Sequence, residues 1–234
     1  MKVWIAKISG ITNNDTASSV DVSSYFAIGA IIEDINIDEI RSVSKFDARR
    51  IFANIEKCTT IAEIVPSSLD DIFETLDICQ PNTIQVNGDF FNDVNNLIAV
   101  QSIATIPIIG SISLDIETYE SNILDPDPVK AAQTLDPYVQ IISVNAPFGQ
   151  IWGSKETKTK LIEIIANIQK VISKPLVIGG GLTIANIGEI ISEVKPNAVD
   201  VSSGVEKHSG IKNPEMMQEF LQEVYDHKDL LPGV

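Results

Sequence analysis

Residues that build disulfide scaffolds or zinc sites are scarce in this sequence. Its 234 residues include two cysteines, Cys58 and Cys79, and two histidines, His208 and His227. No closely spaced Cys/His set occurs, and two histidines alone do not complete a zinc site. A disulfide-stapled scaffold and a structural zinc protein are therefore excluded from the expected classes.

Positive charge is scarce as well. Lys and Arg number 17 against 32 Asp and Glu, so the formal net charge is −15. Nucleic-acid backbones and anionic membrane surfaces are both recognised by clustered positive charge. We therefore expect neither nucleic acid nor a membrane as a partner. A small anion held by backbone amides remains compatible with this charge.

Long apolar runs are also missing. No uninterrupted apolar segment approaches the roughly 18 residues that span a bilayer. The N-terminal segment, broken by Lys7 and Gly10, is too short and polar for a signal peptide. We expect a soluble, cytoplasmic protein. Hydrophobic residues still make up 44% of the chain, which is enough for a substantial core and excludes disorder of the whole chain.

Short β-rich runs alternate with helical segments along the chain. The predicted strands are residues 3–8, 26–32, 60–65, 83–86, 107–112, 139–144, 175–178 and 198–201. The predicted helices are residues 14–24, 45–55, 69–76, 127–135, 157–172, 184–194 and 214–225. Strand–helix alternation implies parallel strands with helical crossovers, and eight such units fit an α/β (β/α)8 TIM barrel. Since no linker interrupts the pattern, residues 1–234 are predicted to form one domain, with an elaborated loop or short extra helix within 113–138.

Two strand ends carry features of anion sites, and in such barrels the active site lies at the carboxyl ends of the strands. Glycines let a ligand approach the backbone, and amides at a helix start favour an anion. Adjacent serines add hydroxyl donors. The residues concerned are Gly179, Gly180, Gly181, Ser202, Ser203 and Gly204. They predict a phosphate clamp between two loops; the alternative is that the glycines merely form a tight turn.

Segments spread along the whole chain resemble the motifs of one enzyme family. Residues 7–13, KISGITN, resemble the signature KICGITN, and residues 84–89, IQVNGD, resemble the strand VQLHG[DE]. Residues 41–50 resemble the segment Rx[IV]SxxxA, and residues 175–182 resemble P[LI]xL[AS]GGL. Residues 198–212 match AVDVSSGVE followed by GxK almost residue for residue. The family is phosphoribosylanthranilate isomerase, a barrel enzyme of tryptophan biosynthesis.

This resemblance implies an Amadori rearrangement of N-(5′-phosphoribosyl)anthranilate, a ring-opening aldose-to-ketose isomerisation that uses no cofactor and no metal. It also implies a cysteine general base and an aspartate general acid at the positions of Ser9 and Ser143. A serine hydroxyl titrates far above the cysteine pKa of about 8.5 and acts as a base only when a neighbour takes its proton. Loss of one member of such a pair removes on the order of 10²–10⁴ in rate. Impaired activity is therefore expected, since neither Cys58 nor Cys79 lies near the catalytic rim.

The same resemblance suggests further ligand contacts. The candidate substrate-binding residues are Arg41, Gln85, Asn87 and Asp200. Arg41 is a candidate to bind a substrate carboxylate, with a surface ion pair as the alternative, and Asn87 stands where the family has histidine. Lys7 lies two residues before Ser9 and shares its face of the strand. A lowered pKa would make Lys7 a candidate base; a structural or anion-neutralising lysine is the alternative.

Several other polar residues near strand ends could take part. Carboxylates that follow two strands are Glu33, Asp34, Asp115 and Glu117. His208 could contact phosphate and Trp152 could cover the barrel mouth; an exposed loop histidine is the alternative for the former.

Three function classes stay open at this point. They are an impaired isomerase that binds a phosphorylated sugar or sugar-anthranilate ligand, a catalytically retired barrel that still binds such a ligand as a sensor or partner subunit, and a different phosphosugar reaction on the same scaffold. The sequence leaves the oligomeric state open.

Overall fold

The structure is a computed structural model that describes residues 4–33 and 40–232. Its strands are β1 (Ala6–Ile8), β2 (Phe26–Ile32), β3 (Ser42–Val43), β4 (Thr59–Ile64), β5 (Thr83–Val86), β6 (Ile108–Ser113), β7 (Ile141–Asn145), β8 (Leu176–Gly179), β9 (Ala198–Val201), β10 (Glu206–His208) and β11 (Ile211–Lys212). Its α-helices are α1 (Asn14–Val20), α2 (Lys45–Phe52), α3 (Leu69–Cys79), α4 (Val94–Ile103), α5 (Pro128–Leu135), α6 (Phe148–Ile151), α7 (Lys155–Val171), α8 (Ile184–Val194) and α9 (Pro214–Asp226).

Eight parallel strands close into a barrel. The hydrogen-bonded order runs β1-β9-β8-β7-β6-β5-β4-β2, and β2 pairs back with β1 to complete the circle. The two-residue β3 pairs in parallel with the last two residues of β2, and β10 pairs with β11 in a separate antiparallel hairpin. The predicted parallel (β/α)8 barrel is therefore confirmed.

Helix starts follow from side-chain caps. The Ser68 hydroxyl accepts a hydrogen bond from the Asp71 amide at the start of α3, and Asn213 caps α9 ahead of Pro214. Such caps satisfy amides that have no acceptor within the helix.

Element bounds differ from the predicted ones in places. Three strands, β2, β5 and β9, have the predicted bounds, whereas α1 ends at Val20, earlier than predicted. The predicted strand 3–8 is observed as Ala6–Ile8, and Val3 lies outside the described residues. Helix α4 was missing from the predicted set. Within 113–138 the structure has a loop closed by a bridge between Leu114 and Ser121 and then α5, with no further α-helix.

Alternation along the strands divides the barrel interior into layers. At the amino ends of the strands, an apolar cluster fills the inside of the barrel: Trp4, Ala27, Ile61, Ile109, Ile141, Val177 and Ala198. Side chains on one face of a strand recur every second residue. The next inward layer includes Glu63 and Ser143, which lie two positions beyond Ile61 and Ile141 of that cluster. It also includes Gln85, which lies two positions beyond Thr83 in β5. The lower half of the barrel is apolar and the upper half is polar.

Helices pack their apolar faces on the outside of the barrel. In α8 the buried residues Ile187, Ile190, Ile191 and Val194 recur at helical spacing. Burial of side chains of this kind is worth about 1.5–3 kcal/mol each. Within the described residues, no helix is both long and apolar enough to cross a membrane.

Candidate active site at the carboxyl ends of the strands

A cavity of about 410 Å³ opens at the carboxyl ends of the barrel strands. Every barrel strand, or the residue just after it, contributes to its lining. The sequence candidates that line it are Ser9, Arg41, Gln85, Asn87, Ser143, Gly179, Gly180, Gly181, Asp200, Ser202 and Ser203. Lys7 lies buried beneath this lining, and Gly204 lies behind it. The barrel thus gathers residues that are far apart in the sequence around one cavity.

Lys7 is the centre of a buried polar network below the cavity. Its Nζ lies 2.6 Å from Oε1 of Gln85, 2.8 Å from Oδ2 of Asp200 and 3.2 Å from Oε2 of Glu63. An ammonium group has three N–H donors, so these three acceptors satisfy it completely. Gln85 in turn donates from Nε2 to Oδ1 of Asn87 at 3.0 Å.

The protonation state of Lys7 follows from this network. Burial on its own would lower the pKa of Lys7, but the charges and hydrogen bonds of Asp200 and Glu63 outweigh it, so the pKa is raised. A base requires the opposite, a lysine whose pKa is lowered. The structure therefore favours the charge-neutralising alternative for Lys7.

Ser9 sits directly above Lys7 and is tied to the same carboxylate. Its Oγ donates to Oδ1 of Asp200 at 2.7 Å, while Oδ2 of Asp200 accepts from Lys7. Both oxygens of Asp200 therefore have protein partners. Because its acceptor is a carboxylate, the Ser9 hydroxyl orients Asp200.

Glu63 is a site residue that the sequence reasoning did not single out. Its carboxyl group is buried and lines the cavity; Oε2 meets Lys7, and Oε1 has no hydrogen-bond partner among the described residues. Burial raises its pKa, the Lys7 ammonium opposes this and Asp200 supports it. One signal could have revealed it, namely a lone acid within the predicted strand, two residues after Ile61 and therefore on the same face.

Ser143 occupies the middle of β7 and pairs in register with Ser111 of β6. Both residues line the cavity, as do Ser113 and Asn145 two positions further along the same two strands. This side of the cavity consists of hydroxyl and amide groups. It offers hydrogen bonds but no carboxylate.

The loop after β8 is glycine-rich for a reason that lies within the protein. Gly180 and Gly181 have φ angles of 103° and 69°, which favour glycine. A Cβ on Gly180 would clash with the carbonyl oxygen of Ala146, and one on Gly181 would clash with Gly149. Close packing against the loop after β7 thus accounts for both glycines. The phosphate clamp remains a prediction, since packing alone explains this turn.

The serine loop after β9 is fixed by hydrogen bonds from Lys212. Lys212 Nζ donates to the carbonyl oxygen of Ser202 at 3.0 Å, to its Oγ at 3.1 Å and to Oε1 of Glu206 at 2.7 Å. Arg41 donates hydrogen bonds to both carboxylate oxygens of Glu206, from Nε to Oε1 at 2.7 Å and from Nη2 to Oε2 at 2.9 Å. A Cβ on Gly204 would clash with the carbonyl oxygen of Leu182, so this glycine also serves loop packing.

Glu206 is the carboxylate that Arg41 and Lys212 share. Burial opposes ionisation, but hydrogen bonds from Arg41, Lys212 and the Gly210 amide outweigh it and lower the pKa of Glu206 to about 2. Arg41 is thus half of a largely buried bidentate ion pair at the cavity edge, where its guanidinium also lines the cavity.

The remaining candidates lie away from the cavity. Asp115 accepts hydrogen bonds from the amides of Glu117 and Thr118, which makes it a turn-stabilising residue. Trp152 is buried against Phe148 and donates to a glutamate on α8. It does not cover the mouth of the barrel.

Three further candidates, His208, Glu33 and Asp34, are also not among the described residues that line the cavity. His208 is exposed in the β10–β11 hairpin and is absent from the cavity lining. Glu33 is exposed beyond β2, and Asp34 lies outside the described residues. In the described part of the chain, no three His, Cys, Asp or Glu residues are placed to hold a metal ion together.

Sequence comparison identifies relatives over nearly the whole chain. A family model of N-(5′-phosphoribosyl)anthranilate isomerase matches residues 11–223. The isomerase of Haloferax volcanii is 27% identical over 217 residues, which cover 92% of this chain and 90% of that protein. That of Hahella chejuensis is 30% identical over 221 residues, which cover 94% and 93%.

Structural comparison leads to the same fold. The crystal structure of the phosphoribosyl anthranilate isomerase of Thermotoga maritima superposes with a TM-score of 0.76 at 24% identity, covering 96% of this chain and all of that one. A phosphoribosyl anthranilate isomerase in complex with reduced 1-(o-carboxyphenylamino)-1-deoxyribulose 5-phosphate gives a TM-score of 0.75 at 22% identity, with the same coverage.

Proposed function

The chain belongs to the N-(5′-phosphoribosyl)anthranilate isomerase family, and we propose that it binds a phosphorylated ribose derivative in the cavity and isomerises it slowly. The observation that carries the proposal is the composition of the cavity wall. Serine and glycine loops form one side, and a buried, charged network forms the floor. Ser9 and Ser143 occupy the two positions that would hold the family's base and acid.

Each part of such a ligand has a complementary part of the cavity. A phosphate group suits the amides and hydroxyls of the loops after β8 and β9, because these groups donate hydrogen bonds without needing much positive charge. Sugar hydroxyls suit the amides of Gln85 and Asn87. A ligand carboxylate suits the positive charge of Arg41 at the cavity edge, beside its ion pair with Glu206. A relative of the same fold holds a ligand whose name combines a carboxyphenyl group, a sugar chain and a phosphate.

A low rate is expected because no thiolate is available at Ser9. One member of an acid–base pair contributes on the order of 10²–10⁴ in rate. The serine hydroxyl cannot replace a thiolate, since Asp200, the carboxylate that accepts its hydrogen bond, is already paired with Lys7. We place the reaction in the cytoplasm, as expected from the sequence.

A non-catalytic phosphate-binding barrel is the second candidate. It is favoured by one observation, the hydroxyl-lined side of the cavity around Ser143 and Ser111, which holds no carboxylate. Binding without turnover would be its signature.

The deciding experiment combines binding and turnover. Calorimetric titration with ribose 5-phosphate tests the ligand class, and a fluorescence assay with N-(5′-phosphoribosyl)anthranilate tests the reaction. We expect measurable binding, slow conversion by the wild type and a gain of at least tenfold in the Ser9→Cys/Ser143→Asp double variant. Absence of binding contradicts the proposal. Binding with no conversion, even in the double variant, supports the non-catalytic candidate.

A further inference from the structure

We propose that Glu63 is the proton-transferring residue of this barrel, acting on the sugar first as an acid and then as a base. The inference rests on the proposed function and names the group that carries its chemistry. It starts from an oxygen atom. Oε1 of Glu63 is buried, has no hydrogen-bond partner among the described residues and belongs to a side chain that lines the cavity.

An unpartnered buried oxygen is costly. Leaving such a group unsatisfied costs about 1–3 kcal/mol, and more when it is charged, so a native protein that retains one calls for an explanation. A ligand in the cavity supplies the missing partner at Oε1. Oε2 is already held by Lys7 at 3.2 Å.

The barrel provides room for this carboxyl group at the neighbouring strand. Gly29 of β2 lies opposite, and a Cβ there would clash with Oε1 of Glu63 and lie 3.3 Å from Oγ of Ser9. The φ of Gly29 is not positive, so its backbone does not require glycine. The carboxyl group of Glu63 occupies the space that a side chain at position 29 would take.

Asp200 is the other acid on the floor, and its geometry differs. Both of its oxygens are engaged, Oδ1 by Ser9 and Oδ2 by Lys7. It is therefore fixed as a counter-charge, whereas Oε1 of Glu63 has no hydrogen-bond partner among the described residues. The groups that face Glu63 are Lys7 from β1, Asp200 from β9 and the Ser9 hydroxyl after β1.

The environment also suits an acid that begins the reaction protonated. Burial raises the pKa of Glu63 and Asp200 adds to that effect, against the opposing charge of Lys7. A general acid works best when its pKa lies near the operating pH.

One carboxyl group can then perform both proton transfers. Neutral Glu63 donates its proton to the sugar ring oxygen as the C1–O bond breaks, and the nitrogen lone pair forms a C1=N bond. The carboxylate then removes the proton from C2; the C2–H electron pair forms a C1=C2 bond and the C1=N π electrons return to nitrogen. Glu63 ends protonated, as it began. The enaminol becomes the ketose when one proton moves from the C2 hydroxyl to C1, so no external reactant is consumed.

The test compares Glu63→Gln with wild type in the assay on N-(5′-phosphoribosyl)anthranilate. Glutamine keeps the size of the side chain but cannot exchange this proton. We expect kcat to fall at least about 100-fold, while the Kd for ribose 5-phosphate changes less than about threefold. Glu74→Gln, on the exposed face of α3, is the matched control and should retain wild-type activity.

Glu63→Asp provides a second variant that keeps the acid but shortens its reach. It should retain measurable turnover with an altered pH–rate profile, even if Glu63→Gln proves too unstable to purify. Wild-type turnover that persists in Glu63→Gln, or a pH–rate profile of Glu63→Asp identical to that of wild type, overturns the role of Glu63 and leaves the proposed function standing. A wild type that binds ribose 5-phosphate but shows no turnover overturns both.

Discussion

The Ser9 hydroxyl donates a hydrogen bond to Asp200 across 2.7 Å, joining the end of the first barrel strand to the last. The other oxygen of Asp200 meets the Lys7 ammonium at 2.8 Å. Lys7 pairs with β9 on one side of β1 and reaches Glu63 of β4 across the barrel. Ser9 is thus part of a charged network at the floor of the cavity, in which Ser9 contacts Asp200 and Lys7 links Asp200 to Glu63.

Removing the ammonium at the centre of this floor should destabilise the protein. In Lys7→Met, Glu63 and Asp200 keep their burial but lose their shared cation. Breaking a buried ion pair from one side costs about 3–5 kcal/mol. We expect a loss of that size in the free energy of unfolding at pH 7, measured by urea denaturation.

The control for this variant is a partly exposed lysine whose ion-pair partner is exposed. Lys45 pairs with Glu74, whose side chain is 59% exposed, and surface pairs are worth at most about 1 kcal/mol. Lys45→Met should therefore cost little. Equal losses in Lys7→Met and Lys45→Met would show that Lys7 does not neutralise buried charge.

The Glu206 cluster should give stability a defined dependence on pH. The pKa of Glu206 is lowered from 4.5 to about 2 in the folded protein. A lowered folded-state pKa contributes stability that is fully present above pH 4.5 and is lost as the pH falls towards 2. Glu206→Gln removes this contribution, and it also deprives Arg41 and Lys212 of their shared acceptor.

We expect Glu206→Gln to lower the free energy of unfolding by about 3 kcal/mol at pH 7 and to flatten its decline between pH 4.5 and 3. Urea denaturation at several pH values measures both effects. Glu74→Gln serves again as the exposed control. An acid decline as steep in Glu206→Gln as in wild type would locate the responsible carboxylate elsewhere.

The fold follows from local signals that the sequence shows directly. Strands β2, β5 and β9 are short apolar runs with clear boundaries, so their ends were predicted to the residue. Helix α4 gave no such signal, because its buried residues are only Leu97 and Val100 while Val94 and Ile98 are exposed. Without one apolar stripe, periodicity does not mark a helix.

The site was less predictable, because it depends on which strands become neighbours and which residues meet across the interior. Strand alternation placed Lys7 and Ser9 on one face. It could not show that Lys7 meets Glu63, which lies 56 positions away in sequence and comes close only once the barrel closes. The glycines of the β8 loop pose the opposite problem, since their pattern suggests a ligand while packing against Ala146 and Gly149 already requires them.

The two cysteines should be inert towards thiol reagents in the folded protein. Burial, with the charge of Asp21 adding to it, raises the pKa of Cys58 to about 12, and burial raises that of Cys79 to about 11. Thiolate is the reactive form, so at pH 8 about one molecule in a thousand or fewer presents one. Titration with a chromogenic disulfide should detect no rapid reaction in native protein and two thiols in urea. A fast-reacting native thiol would contradict the buried placement.

A negative charge on the serine loop should weaken phosphate binding without damaging the fold. Ser203 lines the cavity and is exposed, so a longer side chain fits there. Gly180→Glu would be a poor test, because any side chain at Gly180 clashes with Ala146. The change to make is Ser203→Glu. Carboxylate and phosphate repel each other at close range, and we expect at least a tenfold weaker affinity for ribose 5-phosphate in calorimetry.

The matched control is Ser18→Glu, on the exposed side of α1 and outside the cavity lining. It adds the same charge to the same residue type, so it separates local repulsion from the change in net charge. Ser18→Glu should bind ribose 5-phosphate like wild type, and both variants should unfold at the wild-type urea midpoint. Equal affinity in Ser203→Glu and Ser18→Glu would place the phosphate away from the serine loop. The clamp would then have to be sought at the hydroxyl-lined side of the cavity, around Ser111 and Ser143.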